Sequence, residues 1–150
     1  MTSWADLETA DPTTAASGRA LIERTGIGEG FLATVRGNAA PRIHPVNVRI
    51  VGGRLLTFVI VGSGKAGDLA GDGRYALHAH QDPAVPHEFL VRGRAVEVTD
   101  AAARAAAAAE WSFEVDDGYI LYELTIDHAV FGERATADDW PPVYTSWRPG

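Results

Sequence analysis

The pattern of apolar and polar residues predicts a chain built mainly from β-strands. Residues 42–51 mix β-branched with charged side chains, as a half-buried strand does. Residues 54–61 form a nearly continuous apolar run, which is typical of a strand covered on both faces. Gly52 and Gly53 lie between the two segments and can adopt the positive φ angles of a tight turn without strain. The sequence therefore predicts a β-hairpin in this part of the chain.

Further strands are predicted on both sides of this hairpin, where β-branched and aromatic residues are bounded by turn residues. These strands are residues 30–36, 74–81, 88–99, 119–131 and 143–147. Helices are predicted at residues 4–9, 13–24, 66–70 and 101–110, the last of which is almost pure alanine. Because the strands follow one another without a β-α-β rhythm, we predict a mainly β fold: an antiparallel barrel of six to seven strands with a few peripheral helices.

The length of 150 residues predicts a single domain that spans residues 1–150. We divide this domain into an N-terminal helical segment, a barrel core and a C-terminal tail, which are residues 1–29, 30–133 and 134–150. The chain has no cysteine, and this excludes disulfides, zinc–thiolate sites and a thiol nucleophile.

Charge and hydropathy restrict the partners and the location of the protein. The net charge of −7 and the isoelectric point of about 5.1 argue against nucleic acid or an anionic membrane as a partner. The first residues lack the basic and apolar parts of a secretory signal, and the longest apolar run, residues 55–61, is far too short to span a membrane. We therefore expect a soluble, cytoplasmic protein.

The end of the predicted hairpin carries residues suited to bind a phosphate. Gly62-Ser63-Gly64-Lys65 precedes a predicted helix, so Ser63, Lys65 and the free N–H groups of the helix start meet in one place. Lys65 is the only lysine among 13 Lys and Arg residues, and its compact ammonium can act as a point charge on a phosphate. A solvent-exposed lysine on a helical turn is the alternative. The segment is not a P-loop, because Val59 and Ala66 stand where that motif requires Gly and Ser or Thr.

The histidines give a weaker indication of a metal site. His78 and His80 lie two residues apart on a predicted strand and therefore share a face, and Asp82, His87 and Glu88 follow as candidate third ligands. Neither a cysteine nor an HExxH pattern accompanies them, so we predict no metal site and assign them to a polar strand face or a pocket wall. No Ser-His-Asp or Cys-His set stands out by its spacing, and the catalytic residues are unassigned.

Four motifs follow one another along the chain: Gly30-Phe31-Leu32-Ala33-Thr34-Val35-Arg36, Pro41-Arg42-Ile43-His44-Pro45-Val46, Ser63-x-Lys65-x-x-Asp68-Leu69 and Arg74-Tyr75-Ala76-Leu77. Their order and spacing resemble the pyridoxamine 5'-phosphate oxidase-like family of flavin-binding split barrels. The resemblance extends from Gly30 to Phe131. It implies a split β-barrel that forms a homodimer and holds FMN in a groove at the interface between the two chains.

The resemblance also implies, residue by residue, which positions bind the cofactor. Arg42 is implied as a phosphate partner, the residues after it as contacts of the flavin, and the turn at Lys65 as the phosphate-binding turn. The implied cofactor-binding residues are Arg42, Ile43, His44, Pro45, Val46, Asn47, Phe58, Val59, Ser63, Gly64, Lys65 and Glu88. The function implied is that of an FMN-dependent oxidoreductase, which acts on an unidentified small molecule.

Some positions depart from the family pattern. Val59 replaces a common threonine, Asn47 a common basic residue, and Glu88 a glutamine that touches the cofactor in the true oxidases. Residues 147–150 lack the Arg-x-His segment that binds the substrate in those enzymes, which argues against oxidation of vitamin B6 phosphates. The wider family includes deazaflavin-dependent and haem-binding proteins. A deazaflavin-dependent reductase, a non-catalytic flavin-binding module and a barrel without a cofactor are therefore the alternatives, and haem is the less favoured cofactor.

Overall fold

The computed structural model describes all 150 residues, which form four α-helices and eight β-strands. The helices are α1 (Trp4–Ala10), α2 (Pro12–Ile22), α3 (Gly64–Gly71) and α4 (Ala101–Glu110). The strands are β1 (Glu29–Thr34), β2 (Arg42–Asn47), β3 (Arg49–Val51), β4 (Arg54–Ile60), β5 (Arg74–Ala79), β6 (Glu88–Glu97), β7 (Tyr119–Glu133) and β8 (Val143–Trp147). None of the helices has both the length and the apolar character that crossing a membrane requires.

A single antiparallel sheet contains all eight strands, in the order β2-β1-β5-β6-β7-β4-β3, with β8 added to β7. β2 and β3 lie at opposite ends of this order, yet only Val48 separates them in the sequence. The segment 42–51 therefore pairs with β1 through its first half and with β4 through its second half. This connection curls the sheet into a half-barrel, and the predicted mainly β, split-barrel fold class is confirmed.

The predicted hairpin is present, but its first arm is broken into β2 and β3. Val48 is fully buried and its N–H donates to the carbonyl of Gly28 instead of a strand partner, which is why the arm bends there. Gly52 and Gly53 have φ angles of 58° and 74°, so the turn uses the conformation expected from the two glycines. Most other boundaries lie within two residues of those predicted from the sequence, and α4 and β8 match completely.

Helices α1 and α2 close one end of the half-barrel. Ser3 caps α1 through a capping box with Asp6, and Asp11 caps α2 with Pro12 at its first position. The fully buried side chains of Trp4 and Phe89 meet edge to face, with ring centroids 6.0 Å apart. The main core also contains Leu7, Ala15, Ile22, Leu32, Val48, Leu55, Val59, Leu77, Val91, Leu124 and Ile126.

Helix α4 covers part of the outer surface of the sheet. Its buried Ala107 and the following Trp111 pack on Leu56 and Phe58 of β4 in a second, smaller apolar cluster. The rings of Phe58 and Trp111 meet edge to face at 4.8 Å. Because α4 presents small alanines to the sheet, this helix lies close to β3 and serves as scaffold.

Candidate functional site

The phosphate-binding elements predicted from the sequence come together at one end of the half-barrel. Arg42 begins β2, and the turn after β4 leads through Ser63 into helix α3. A shallow groove of about 350 Å³ lies between them. Its lining residues are Arg36, Arg42, Ser63, Gly64, Gly67 and Asp68. We call this group, together with Lys65 beside it on α3, the cradle.

Arg42 is fixed in the cradle by a two-point interaction with Asp68. Its Nε and Nη2 donate to the two carboxylate oxygens at 3.0 and 2.6 Å, and Nη2 also donates to the carbonyl of Gly64 at 3.0 Å. The Asp68 side chain is only 2% exposed. The hydrogen bonds from Arg42 lower the pKa of the Asp68 carboxyl, and the same pair raises the pKa of Arg42. Arg42 is thus held in one orientation, with Nη1 free of partners in the chain.

A hydrogen-bonded series continues from Asp68 to His44. The hydroxyl of Thr34 donates to Asp68 at 2.7 Å, and Nε2 of His44 lies 3.0 Å from the same hydroxyl oxygen. The single hydroxyl proton is directed to the carboxylate, so the His44 Nε2–H must be the donor to Thr34. Burial lowers the pKa of His44, and the nearby charges of Lys65 and Arg42 lower it further. The imidazole is therefore neutral near pH 7.

The start of helix α3 adds unpaired backbone donors. Ser63 caps the helix by accepting from the N–H of Ala66 at 3.3 Å, while the N–H groups of Gly64 and Lys65 have no backbone partner. Gly64 has a specific steric role, because a Cβ there would lie 2.7 Å from Nη1 of Arg42. A glycine at this position lets the guanidinium lie directly over the helix start.

The cradle is a positively charged region on an acidic protein. Neither Lys65 nor Arg36 takes part in any of the salt bridges. Three cations, Arg36, Arg42 and Lys65, and one carboxylate, Asp68, leave a formal excess of two positive charges, whereas the whole chain carries −7. This excess, with the free N–H groups at the helix start, suits a doubly charged anion.

β2 and β4 do not pair with each other, and we call the gap between residues 42–47 and 57–60, which begins at the cradle, the cleft. β2 is an edge strand that pairs only with β1, and residues 57–60 of β4 pair only with β7, although the two strands approach each other. The cleft is closed at its far end, where the hydroxyl of Thr57 donates to the carbonyl of Asn47 at 2.9 Å. Two strand edges with unpaired backbone groups therefore border a narrow opening that begins at the cradle.

The structure places five of the twelve predicted cofactor-binding residues around the cradle and four more along β2. Arg42, His44, Ser63, Gly64 and Lys65 surround the cradle end. Ile43, Pro45, Val46 and Asn47 continue along β2, where Ile43 and Pro45 point to the outer face of the sheet.

Three predicted residues are placed differently from the rest. Val59 is buried in the main core and Phe58 lies against Trp111, so only the backbone of these two β4 residues borders the cleft. Glu88 pairs with Gly132 at the opposite end of the strands. The strand register places Arg42 level with Gly93 of β6, so Glu88 is five residues, or roughly 17 Å, away along the strand direction. Its carboxylate accepts a hydrogen bond from Tyr144 at 3.0 Å. Within one chain, Glu88 therefore lies outside the cradle.

Three residues that line or support the cradle were not predicted as site residues from the sequence: Asp68 and Arg36 line it, and Thr34 supports Asp68. Asp68 belongs to one of the family-like motifs, and its burial between Ala66 and Leu69 on the inner face of α3 signals a paired carboxylate. Thr34 is the last residue of β1 and its side chain faces the same interior. Arg36 ends another of the family-like motifs and lies on an exposed loop, where nothing in the sequence marks it as an anion-binding residue.

The histidines considered as metal ligands have other partners. Nδ1 of His78 donates to the carbonyl of Ala79 at 2.7 Å, and Nδ1 of His80 lies 2.9 Å from the carboxylate of Glu29. No three side chains of His, Cys, Asp or Glu come together in a group that could hold a metal ion.

No protein-family model and no curated protein matches the sequence. A haem-binding protein from Mycobacterium smegmatis superposes with a TM-score of 0.64 at 20% identity. The match covers 89% of this chain but 57% of the mycobacterial protein, so this chain spans little more than half of that protein's length.

Two further solved structures cover most of both chains. A nimC/nimA family protein from Clostridium acetobutylicum has a TM-score of 0.64 at 14% identity, over 87% of this chain and 94% of the other. PhzG from Burkholderia lata, solved with tetrahydrophenazine-1-carboxylic acid, has a TM-score of 0.60 at 15% identity, over 95% and 96% of the two chains. At these identities the likeness concerns the fold. The half-barrel, its split between β2 and β4 and these superpositions together show that the chain has the split-barrel fold of the pyridoxamine 5'-phosphate oxidase-like proteins.

Proposed function

We propose that this protein is a homodimeric FMN-binding oxidoreductase that acts on a small molecule. The observation that carries the proposal is the cradle: a guanidinium held by Asp68, a lysine without an ion-pair partner and two free helix-start N–H groups lie where the cleft begins. FMN has the matching chemistry, because it joins a flat ring with hydrogen-bonding edges to a phosphate monoester.

The charge of the cradle supports FMN in particular. A phosphate monoester carries close to two negative charges near neutral pH, which equals the excess positive charge of the cradle. Arg42, Lys65 and the N–H groups of α3 would hold the phosphate, and the free backbone groups of β2 and β4 would hold the edge of the ring. FMN supplies hydride-transfer chemistry when bound, so the chain need only bind, orient and tune it, without a catalytic triad.

The outer face of the sheet supports the homodimer. Cross-strand partners share a face, and one row of such partners crosses five strands. Its members are Pro45, Phe31, His78, Leu90 and Val130. Phe31 is 47% exposed although it lies in the middle of this mainly apolar row. No helix covers the row: α2 contacts β5, β6 and β7 on the opposite, inner face, where Gly18 lies against the buried Phe89, and α4 packs beside β3 and β4. A second copy of the chain is the partner that we propose for this face.

The charges beside the apolar row favour a two-fold symmetric dimer. Glu29 and Glu88 follow on one side of the row, and Arg92 and His128 follow on the other. A two-fold axis that runs along the row, between the two sheets, places the acidic side of each copy against the basic side of the other. This arrangement also moves Glu88 of one copy toward the cradle end of the second copy. The dimer would thereby bring Glu88 of one copy close to the predicted cofactor-binding residues of the other, from which it is distant within a single chain.

The dimer is tested by mass and by two matched substitutions. Light scattering should give about twice the chain mass of 16.0 kDa for the wild type. Phe31→Glu places a charge in the apolar row and should yield monomers, because burial of an unpaired charge is strongly unfavourable. Val143→Glu alters a residue that is 71% exposed and lies outside the row, and it should leave the dimer intact. A monomeric wild type that binds FMN tightly would contradict the proposed assembly.

Haem is the second candidate cofactor, and one observation favours it. Nδ1 of His78 donates to a backbone carbonyl, so the lone pair of the neutral ring is on Nε2. This Nε2 has no hydrogen-bond partner, and His78 itself is a member of the mainly apolar row. Metal-binding histidines usually have this arrangement. The mycobacterial protein with the same fold is described as haem-binding.

The visible absorbance spectrum of the purified protein separates these candidates. Two visible bands would support FMN, a single band at the violet edge would indicate a deazaflavin, and a sharp Soret band would indicate haem. If the purified protein is colourless, added FMN should bind, and its fluorescence should be quenched in a titration. If the protein binds neither FMN nor deazaflavin nor haem, it is a barrel without a cofactor.

A cytoplasmic location is part of the proposal. It is supported by a chain that has no cysteine and therefore needs no oxidising compartment.

Gly64→Ala should weaken FMN binding without unfolding the protein. The added Cβ would lie 2.7 Å from Nη1 of Arg42, which Asp68 prevents from moving freely, so the guanidinium must leave its two-point pair. We expect about a tenfold loss of affinity, the equivalent of one charge-assisted hydrogen bond. Gly71→Ala is the matched control on the same helix, because no atom lies within 4 Å of its added Cβ. Fluorescence titration of both variants measures the difference, and equal affinities would contradict the role given to Arg42.

A further inference from the structure

The hydrogen bonds behind the cradle give His44 one fixed nitrogen and one free nitrogen. Thr34 directs its only proton to Asp68, so Nε2–H of His44 donates to Thr34 whether the ring is neutral or charged. Nδ1 has no hydrogen-bond partner in the chain, and it is the atom that gains a proton when the ring becomes charged. The orientation of the imidazole is therefore the same in both protonation states.

The charges that surround His44 come from two elements. Helix α3 contributes Lys65 and Asp68, and β2 contributes Arg42, while β1 contributes only the Thr34 hydroxyl. Residues 57–60 of β4, on the other side, are Thr, Phe, Val and Ile and carry no charge. Burial lowers the pKa of His44 first, Lys65 and Arg42 lower it further, and Asp68 opposes them. Both of these cations also belong to the cradle, so an anion bound there would offset the part of the lowering of the His44 pKa that their charges cause.

We propose that His44 takes up one proton from solvent when a phosphate ester enters the cradle, so that cofactor binding is coupled to the protonation of this residue. The inference rests on the proposed function and adds a regulation that the cofactor assignment alone does not require. Only the Nδ1–H bond forms, and the new imidazolium adds a third positive side chain beside Arg42 and Lys65. Because FMN binding and proton uptake favour each other, FMN binds more tightly as the pH falls. The change occurs between two values: the pKa of His44 in the complex and its lower pKa in the free protein.

The first test is the titration of the His44 imidazole by NMR in the wild-type protein. The ring signals of the five histidines are followed against pH, once without flavin and once with saturating FMN. Without flavin, His44 should titrate below the ordinary value of about 6.5, and FMN should raise its midpoint by about one unit or more. Saturating riboflavin should leave the midpoint unchanged, because riboflavin lacks the phosphate. A His44 midpoint that is the same with and without bound FMN would overturn the proposal.

The second test compares FMN affinity in the wild type and in His44→Asn as a function of pH. The phosphate itself titrates near pH 6, but it does so equally in both proteins, so the ratio of their dissociation constants isolates His44. The advantage of the wild type should grow about tenfold toward low pH for each unit by which FMN raises the pKa. If both proteins bind FMN and the ratio of their dissociation constants does not change with pH, the inference about His44 is overturned but the proposed function is not. Folded proteins that bind no FMN at any pH overturn the proposed function as well, so the two failures are distinguishable.

Discussion

Lys65→Ala should weaken FMN binding about 10- to 100-fold and leave riboflavin binding almost unchanged. Lys65 lies at the second position of α3 and has no salt-bridge partner. Its charge lowers the pKa of His44, which shows that this charge acts on the cradle. A charge-assisted hydrogen bond contributes about 1.5–3 kcal/mol, and each 1.4 kcal/mol changes a dissociation constant about tenfold. Riboflavin lacks the phosphate, and the lost contact is therefore to a group that it does not carry.

Lys65→Arg separates the charge of this residue from its shape. The substitution keeps the positive charge but replaces a compact ammonium with a planar fork, in a cradle where Arg42 already supplies one guanidinium. We expect partial recovery of FMN affinity, and the difference between wild type and Lys65→Ala should narrow as salt is raised. Fluorescence titration of both flavins against the three proteins is the measurement. Equal losses for FMN and riboflavin would assign Lys65 to folding or to ring binding and would remove it from the phosphate site.

The fold could be predicted from local patterns because the local signals agree with one another. Two glycines with positive φ mark the hairpin turn, an alanine run between Asp100 and Trp111 marks α4, and β-branched runs mark the long strands. The break at Val48 could not be predicted in this way. Its cause is a contact with Gly28, which lies 20 positions earlier in the chain, and a strand pattern does not contain such contacts.

The candidate site was predictable in its charges but not in its pairings. The unique lysine and the Ser-Gly-Lys turn indicate where an anion would bind, but nothing near Arg42 in the sequence indicates that Asp68 holds its guanidinium. Side-chain direction was also beyond the sequence, since neighbouring residues Phe58 and Val59 enter two different apolar clusters. The resemblance could place Glu88 at a cofactor, but only the strand register shows that one chain keeps it away from the cradle.

Gly28→Ala should be the most destabilising single substitution near the cleft. Gly28 has a φ of +70°, and an added Cβ would lie 1.8 Å from the carbonyl oxygen of Val48. The left-handed backbone costs a non-glycine residue about 1–2 kcal/mol, and overpacking against backbone adds about 1–3 kcal/mol. The free energy of unfolding, measured by urea titration, should therefore fall by about 2–5 kcal/mol, and the melting temperature should fall by roughly 2–4 °C for each kcal/mol.

Gly26→Ala is the matched control, and it separates backbone strain from the close approach. Gly26 belongs to the same loop and has a φ of +85°, but no atom lies within 4 Å of an added Cβ, so only the backbone term applies. The carbonyl of Gly28 accepts hydrogen bonds from Val48 N–H at 3.2 Å and from Asn47 Nδ2 at 3.1 Å, at the point where β2 leaves β3. Displacing Gly28 should therefore also disturb the closed end of the cleft. We expect weaker flavin binding in the folded fraction of Gly28→Ala than in Gly26→Ala. Equal losses of stability and affinity in the two variants would show that the approach of Gly28 to Val48 does not set the split between β2 and β4.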